Sequence, residues 1–223
     1  MNILVFGHPH CGTTILRTII GRCDGVVEIT TETPIVPAKT LGEIAVTKWP
    51  YCEDRILNGN AWKNYKKVMI LRNPLYTFSS LNRRFGRNKN SSHDYFAFRR
   101  AAEVFHQKKD GLITIRYEDI FTDGYSKLRS LLDELGLSYT DRVLLPNGNG
   151  RNNFGGPVPR HKPKMREHSA YRTWQVNQPL IYADDVEKLS LFPEQIRRIR
   201  EDTLICELWP EIPEILSYYH LTR

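Results

Sequence analysis

The feature that most constrains this chain is the stretch Gly7-His8-Pro9-His10-Cys11-Gly12-Thr13-Thr14, which follows the apolar, β-forming run Ile3 to Phe6. After it, Thr13 to Ile20 reads as a helix, with Ile15/Leu16 and Ile19/Ile20 spaced to face a sheet. A buried strand, a glycine-bounded turn and a helix in that order, with G-x-x-x-x-G-x-[ST] spacing, form the skeleton of a phosphate-binding loop. Glycines let backbone N–H groups turn toward an anion, and the helix N-terminus adds partial positive charge. Thr13 stands where such loops usually carry lysine, so the loop's own cation is expected at His10. Taken alone, the spacing also suits an ordinary strand-to-helix turn.

The rest of the chain repeats the strand-then-helix rhythm. Ile44 to Thr47, Val68 to Leu71 and Leu112 to Ile115 are short apolar runs, the first two ending at Lys48 and Arg72 and the third at Arg116-Tyr117-Glu118. Helical patterns cover roughly Tyr76–Phe85, Asp94–His106 and Ser126–Leu135, the last stopped by Gly136. Such alternation predicts an α/β, three-layer fold of the phosphate-loop kind: a central parallel sheet of about five strands with helices on both faces. Ligands of these sheets bind outside the carboxyl ends of the strands, where Gly7, Lys48, Arg72 and Tyr117 all fall. Beyond Leu145, residues Pro146 to His168 are rich in Gly, Asn, Pro and basic side chains and read as a long functional loop. Asp184 to Ser190 and Glu194 to Leu208 read as helix again. With 223 residues and no internal repeat, one domain spanning 1–223 is expected, residues 146–172 forming a lid over nucleotide or acceptor.

A second chemistry-bearing stretch runs from Arg72-Asn73-Pro74 to Arg83-Arg84. Pro74 suits a first helical turn, where its missing N–H is no loss. Arg72 can fork two N–H bonds onto a phosphate, and Ser80 and Arg84, four residues apart, share one helix face. A nucleoside-triphosphatase would place an acidic residue at such a strand end to hold Mg²⁺; this strand offers Arg72. That disfavours a small-molecule kinase with a phosphate loop, the alternative enzyme class. The excess of 32 Lys+Arg over 25 Asp+Glu, a net charge of +7, suits an anionic ligand. It also suits a non-catalytic nucleotide- or RNA-binding module, but no RNA-binding motif or aromatic stacking platform accompanies it. No nucleic-acid partner is expected.

Pro9-His10-Cys11-Gly12-Thr13-Thr14 after the first strand, with Arg72-Asn73-Pro74 and Ser80 eight residues past the arginine, resembles the sulfotransferases that use 3′-phosphoadenosine 5′-phosphosulfate (PAPS). The spacing of Arg72, Ser80 and Arg84, and the pair Tyr117-Glu118, are similar to the tyrosylprotein branch; the likeness covers roughly Met1 to Gly136. It implies that the first loop (Pro9, His10, Cys11, Gly12, Thr13, Thr14) cradles the 5′-phosphosulfate, that Arg72, Ser80 and Arg84 bind the 3′-phosphate, and that Tyr117 contacts the nucleotide. Lys48, in Lys48-Trp49-Pro50, resembles the active-site lysine of that family, and Glu32 is the nearest match to the tyrosylprotein branch's base. Glu28, Glu53 and Asp54 are rival carboxylates. Sulfuryl transfer needs cations on the leaving group and a base for the acceptor proton, and no metal is expected. The acceptor is left open between small molecules and glycan or peptidyl hydroxyls, with amines as a further class.

Several smaller readings complete the picture. The basic run Arg160 to Arg166 is a candidate closing segment, and Trp174 a candidate stacking partner for adenine. Cys11 at a helix N-terminus should have a lowered thiol pKa, yet it reads as a serine substitute and not a nucleophile. Cys11, Cys23, Cys52 and Cys206 form no C-x-x-C pair, which fits reduced thiols. No apolar run approaches the ~18 residues of a spanning helix, so a cytoplasmic chain with neither leader nor anchor is expected. Oligomeric state is open.

Overall fold

The computed structural model describes residues 1–40, 43–86, 91–144 and 184–221, together with 161–163, 167, 170, 173, 174 and 182. The proposed 146–172 lid therefore lies mostly outside the described residues. Five strands make one all-parallel sheet: β1 (Asn2–Gly7), β2 (Val26–Glu32), β3 (Ile44–Trp49), β4 (Tyr65–Leu71) and β5 (Leu112–Arg116), in the order β2-β3-β1-β4-β5. The expected α/β sheet covered on both faces is what forms.

β1 lies at the centre, and Ile3, Leu4, Val5 and Phe6 are all fully buried, which is why that segment reads as an unbroken apolar run. Alternate side chains serve opposite faces. Leu4 and Phe6, with Met69 and Leu71, pack against α3 (Pro74–Phe85) and α4 (Ser91–Gln107) through Phe78 and Phe98. The same layer takes in Trp209 and the helices near the C-terminus. Ile3 and Val5, with Val46, Val68 and Ile70, pack against α1 (Thr13–Gly21) through Leu16 and Ile19, and against α5 (Ser126–Glu134) through Leu128 and Leu132. A short helix, α2 (Asp54–Asn58), follows β3. Among the described residues no helix is long and apolar enough to cross a membrane.

The differences from the sequence reading have local causes. β2, a strand the pattern does not announce, lies at the sheet edge, and its burial fades along Val26 to Glu32. The expected helix over Asp184–Ser190 is one tight turn at Val186–Lys188. The expected helix over Glu194–Leu208 is two: α6 (Pro193–Glu201) and α7 (Thr203–Leu208). Asp202 breaks it, because its carboxylate accepts from the Ile205 N–H at 3.2 Å and caps the second helix. A further helix, α8 (Ile212–Leu221), packs Ile212, Leu216 and Tyr219 into the core.

Candidate active site

The glycine loop leaves β1 at the carboxyl edge of the sheet, and two of its residues admit no side chain. A Cβ on Gly7 would stand 2.0 Å from the Ile70 carbonyl oxygen. A Cβ on Gly12 would stand 2.6 Å from Tyr117, and Gly12 has a φ of +94° as it opens α1. Tyr117 is thereby pressed directly against the loop. Thr13 is buried and Thr14 half-buried in the first turn of α1, where the helix offers its unpaired N–H groups. Pro9 is half-buried, and its carbonyl accepts from His8 Nδ1 at 3.0 Å.

His10 joins this loop to α3. Its Nδ1 lies 2.7 Å from Ser80 Oγ, and Arg84 donates to its Nε2 at 3.3 Å. The Arg84 guanidinium also lies 4.8 Å from the Phe85 ring, so this corner brings His10, Ser80 and Arg84 together. Cys11 departs from expectation. It is fully buried, with Sγ 3.6 Å from Thr77 Oγ1, and burial pushes its thiol up to about 11, overriding the helix N-terminus.

Arg72 projects from the end of β4 onto the same edge. Its guanidinium lies 4.7 Å from the centre of the Tyr117 ring and donates to the His10 carbonyl at 3.4 Å. Its Nε donates to Asp184 at 3.1 Å, and a second nitrogen pairs with the same carboxylate, which is fully buried. Asp184 is a partner that sequence reasoning misses, because it lies 112 residues away in a segment read as helix. Beside Tyr117, Glu118 is spoken for: it accepts from the Asn73 backbone N–H at 2.6 Å and from Trp209 at 3.4 Å, and burial raises its pKa.

Lys48 is fully buried near the end of β3, and its Nζ donates to Glu32 Oε1 at 2.6 Å. The Glu32 side chain remains 37% exposed, so one carboxylate meets both the buried cation and the solvent side. The rivals are committed elsewhere. Glu28 accepts from Arg17 at 2.9 Å and Thr18 at 3.0 Å. Glu53 binds Trp49 and Arg55, and exposed Asp54 pairs with Arg100. Trp174 lies under Lys162, 5.7 Å from Nζ to the ring centre. Among the described residues no group of His, Cys, Asp and Glu converges as a metal site.

No protein-family model matches the sequence, and no curated protein is significantly similar to it. Solved structures are. The mouse sulfotransferase SULT7A1 complexed with PAP superposes with a TM-score of 0.62 at 16% identity, over 97% of this chain and 88% of that one. The sulfotransferase domain of the Synechococcus PCC 7002 olefin synthase gives 0.52 at 14% identity, over 91% and 95%. The fold is that of the sulfotransferases. Within it, the glycine loop, the β3 lysine and the arginine that follows β4 lie at one edge of the sheet, as the sequence spacing anticipates.

This sulfotransferase fold places another ionisable group under its loop. His8 is buried against Phe98, ring centres 5.3 Å apart, and burial lowers its pKa from 6.5 to about 4 despite the carbonyls of Pro9 and Asp94. The unfolded chain then takes up a proton between those values that the folded chain refuses, so stability should be full above pH 6.5 and fall as pH drops toward 4. The shift corresponds to about 3 kcal/mol at most. Urea unfolding of His8→Phe beside wild type from pH 7 to 4.5 checks this: the variant should lose distinctly less stability, and parallel curves would refute it.

Proposed function

We propose that this chain is a sulfotransferase that moves a sulfuryl group from PAPS to a hydroxyl or amine acceptor. The observation that carries the reading is the Lys48–Glu32 pair, where a buried cation from the strand beside β1 takes the place of the missing loop lysine and meets a carboxylate. The fold supports it, and the mouse neighbour's PAP supports PAPS as donor. The residues also fit such an anion, since Arg72 already holds a carboxylate, that of Asp184, in a forked contact. When bound, PAPS supplies the sulfuryl group on a phosphate leaving oxygen.

The chain's own groups divide the work. The N–H groups and hydroxyls of Thr13 and Thr14 bind the 5′ end, with Pro9, Cys11 and Gly12 shaping the loop. Ser80, Arg84 and Arg72 bind the 3′-phosphate, and His10 orients Ser80 and Arg84 through its two ring nitrogens. Tyr117 packs against nucleotide and loop together. Glu32 takes the acceptor's proton as the acceptor oxygen or nitrogen bonds to sulfur, and Lys48 donates to the phosphate oxygen as its bond to sulfur breaks. Before reaction the two neutralise each other; substrates separate them, Glu32 toward the acceptor and Lys48 toward the leaving group.

Four outcomes test this assignment. The bisphosphate 3′-phosphoadenosine 5′-phosphate (PAP) should raise Tm well above any shift from adenosine 5′-phosphate, because the latter has nothing for Ser80 and Arg84; equal shifts would sink the reading. With labelled PAPS and a panel of hydroxyl and amine acceptors, turnover should survive EDTA. In that assay Lys48→Met should lower kcat by ~10²–10³ with little change in nucleotide affinity, the scale for one oriented donor. Finally, Asp184→Asn should tighten PAP binding, since it removes the anion competing for Arg72; calorimetric titration showing weaker binding would instead make Asp184 part of the nucleotide site.

A further inference from the structure

The partnership of Glu32 with Lys48 depends on an irregularity in β2. The ladder to β3 runs Val26↔Ile44, Val27↔Ala45, Glu28↔Val46, then slips and resumes at Glu32↔Lys48. Four steps along β2 thus span two along β3. A regular strand would set Thr30 opposite Lys48; the two extra residues bring Glu32 there instead. A bulge withdraws backbone groups from the ladder, and buried ones need other partners.

Arg17 supplies them. It lies one turn into α1, fully buried in the layer of Leu16, Ile19 and Ile20. Its Nη1 donates to the carbonyls of Ile29 at 3.2 Å and Thr30 at 2.9 Å, within the slipped segment. Its Nε donates at 2.9 Å to Glu28, the last residue before the slip, whose carboxylate Thr18 also holds at 3.0 Å. A guanidinium in an apolar layer is costly, and a leucine would fill the space. What the guanidinium alone provides is a planar fork that reaches a carboxylate and two consecutive carbonyls at once.

We propose that Arg17 is a positioning residue for the reaction: it fixes the bulge of β2, and so holds Glu32 in register with Lys48, from the same helix whose first turn forms the phosphate loop. The contacts of Arg17 with Glu28, Ile29 and Thr30 lie in the strand, so it acts on the reaction through Glu32. The role rests on the parts assigned above to Glu32 and Lys48, whereas the structural statement beneath it, that Arg17 sets the pair, does not.

The test separates the two. Thermal unfolding of Lys48→Met, Glu32→Gln and the double variant forms a cycle, which is then repeated in the Arg17→Lys background. Lysine keeps a charge for Glu28 but cannot also reach both carbonyls. In the wild-type background the two Tm losses should be non-additive, because each substitution removes the same pair; in Arg17→Lys they should add. Equal non-additivity in both backgrounds would overturn the proposal. Should Arg17→Lys fold poorly, Arg17→Met with Glu28→Met removes both buried charges together and repeats the comparison. In the transfer assay, Arg17→Lys should lower kcat at least tenfold while the KM for PAPS and the PAP-induced Tm shift stay within twofold. Parallel loss of kcat and nucleotide affinity would mark Arg17 as a general support of the fold and refute positioning. If the wild-type chain transfers no sulfuryl group, the proposed function fails, and the cycle still decides whether Arg17 sets the pair.

Discussion

Everything at the working edge depends on β1 being buried on both faces. A strand whose Ile3, Leu4, Val5 and Phe6 are all hidden from water must have a strand on each side and helices above and below. The neighbours are β3 and β4, both parallel to it, so all three chains leave the sheet at the same edge. Lys48, the glycine loop and Arg72 are brought together by that constraint before any of them touches another. Their mutual contacts are then fine adjustments: Tyr117 against Gly12, Arg72 to the His10 carbonyl, His10 to Ser80.

This is why so much of the site is legible in the sequence. A buried parallel strand is an apolar run, and the first polar or basic residues after it lie at the carboxyl edge; Lys48, Arg72 and the Arg116-Tyr117 pair can be placed by that rule alone. Ser80 and Arg84 follow from helical spacing. The rule fails for β2, an edge strand half in water, where Val26 to Glu32 carries little apolar signal. It fails again for Asp184, whose importance comes from a partner far away in sequence, and for Arg17, which sits in an apolar helix face where its charge reads as an exception to the pattern. The contact of His10 with Arg84 is also invisible from local sequence, since the two lie 74 residues apart on different elements.

The same comparison explains the correction at Cys11. Proximity to a helix N-terminus argues for a reactive Cys11, but that effect is a fraction of a charge, whereas complete burial removes the solvent that a thiolate needs. Burial prevails at Cys11 as it does at His8. In the proposed function the loop would bind through fixed N–H groups and hydroxyls, with the charge on the side chains that reach it from β3, β4 and α3.

Arg72 with Asp184 and Lys48 with Glu32 are cations of the sheet edge already matched by carboxylates of the same chain. Such a pair exerts less pull on a passing ion than a bare cation, because a newcomer gains only what it takes from the resident carboxylate. A lone phosphate that displaces one carboxylate exchanges one partner for another. On the proposed function, a nucleotide carrying anionic groups at both ends would engage both cations together while its ring and sugar hold it in place, so the second exchange would happen within a complex already formed. Selectivity of this kind would arise from a threshold, favouring a molecule that carries two charges the right distance apart over simple anions.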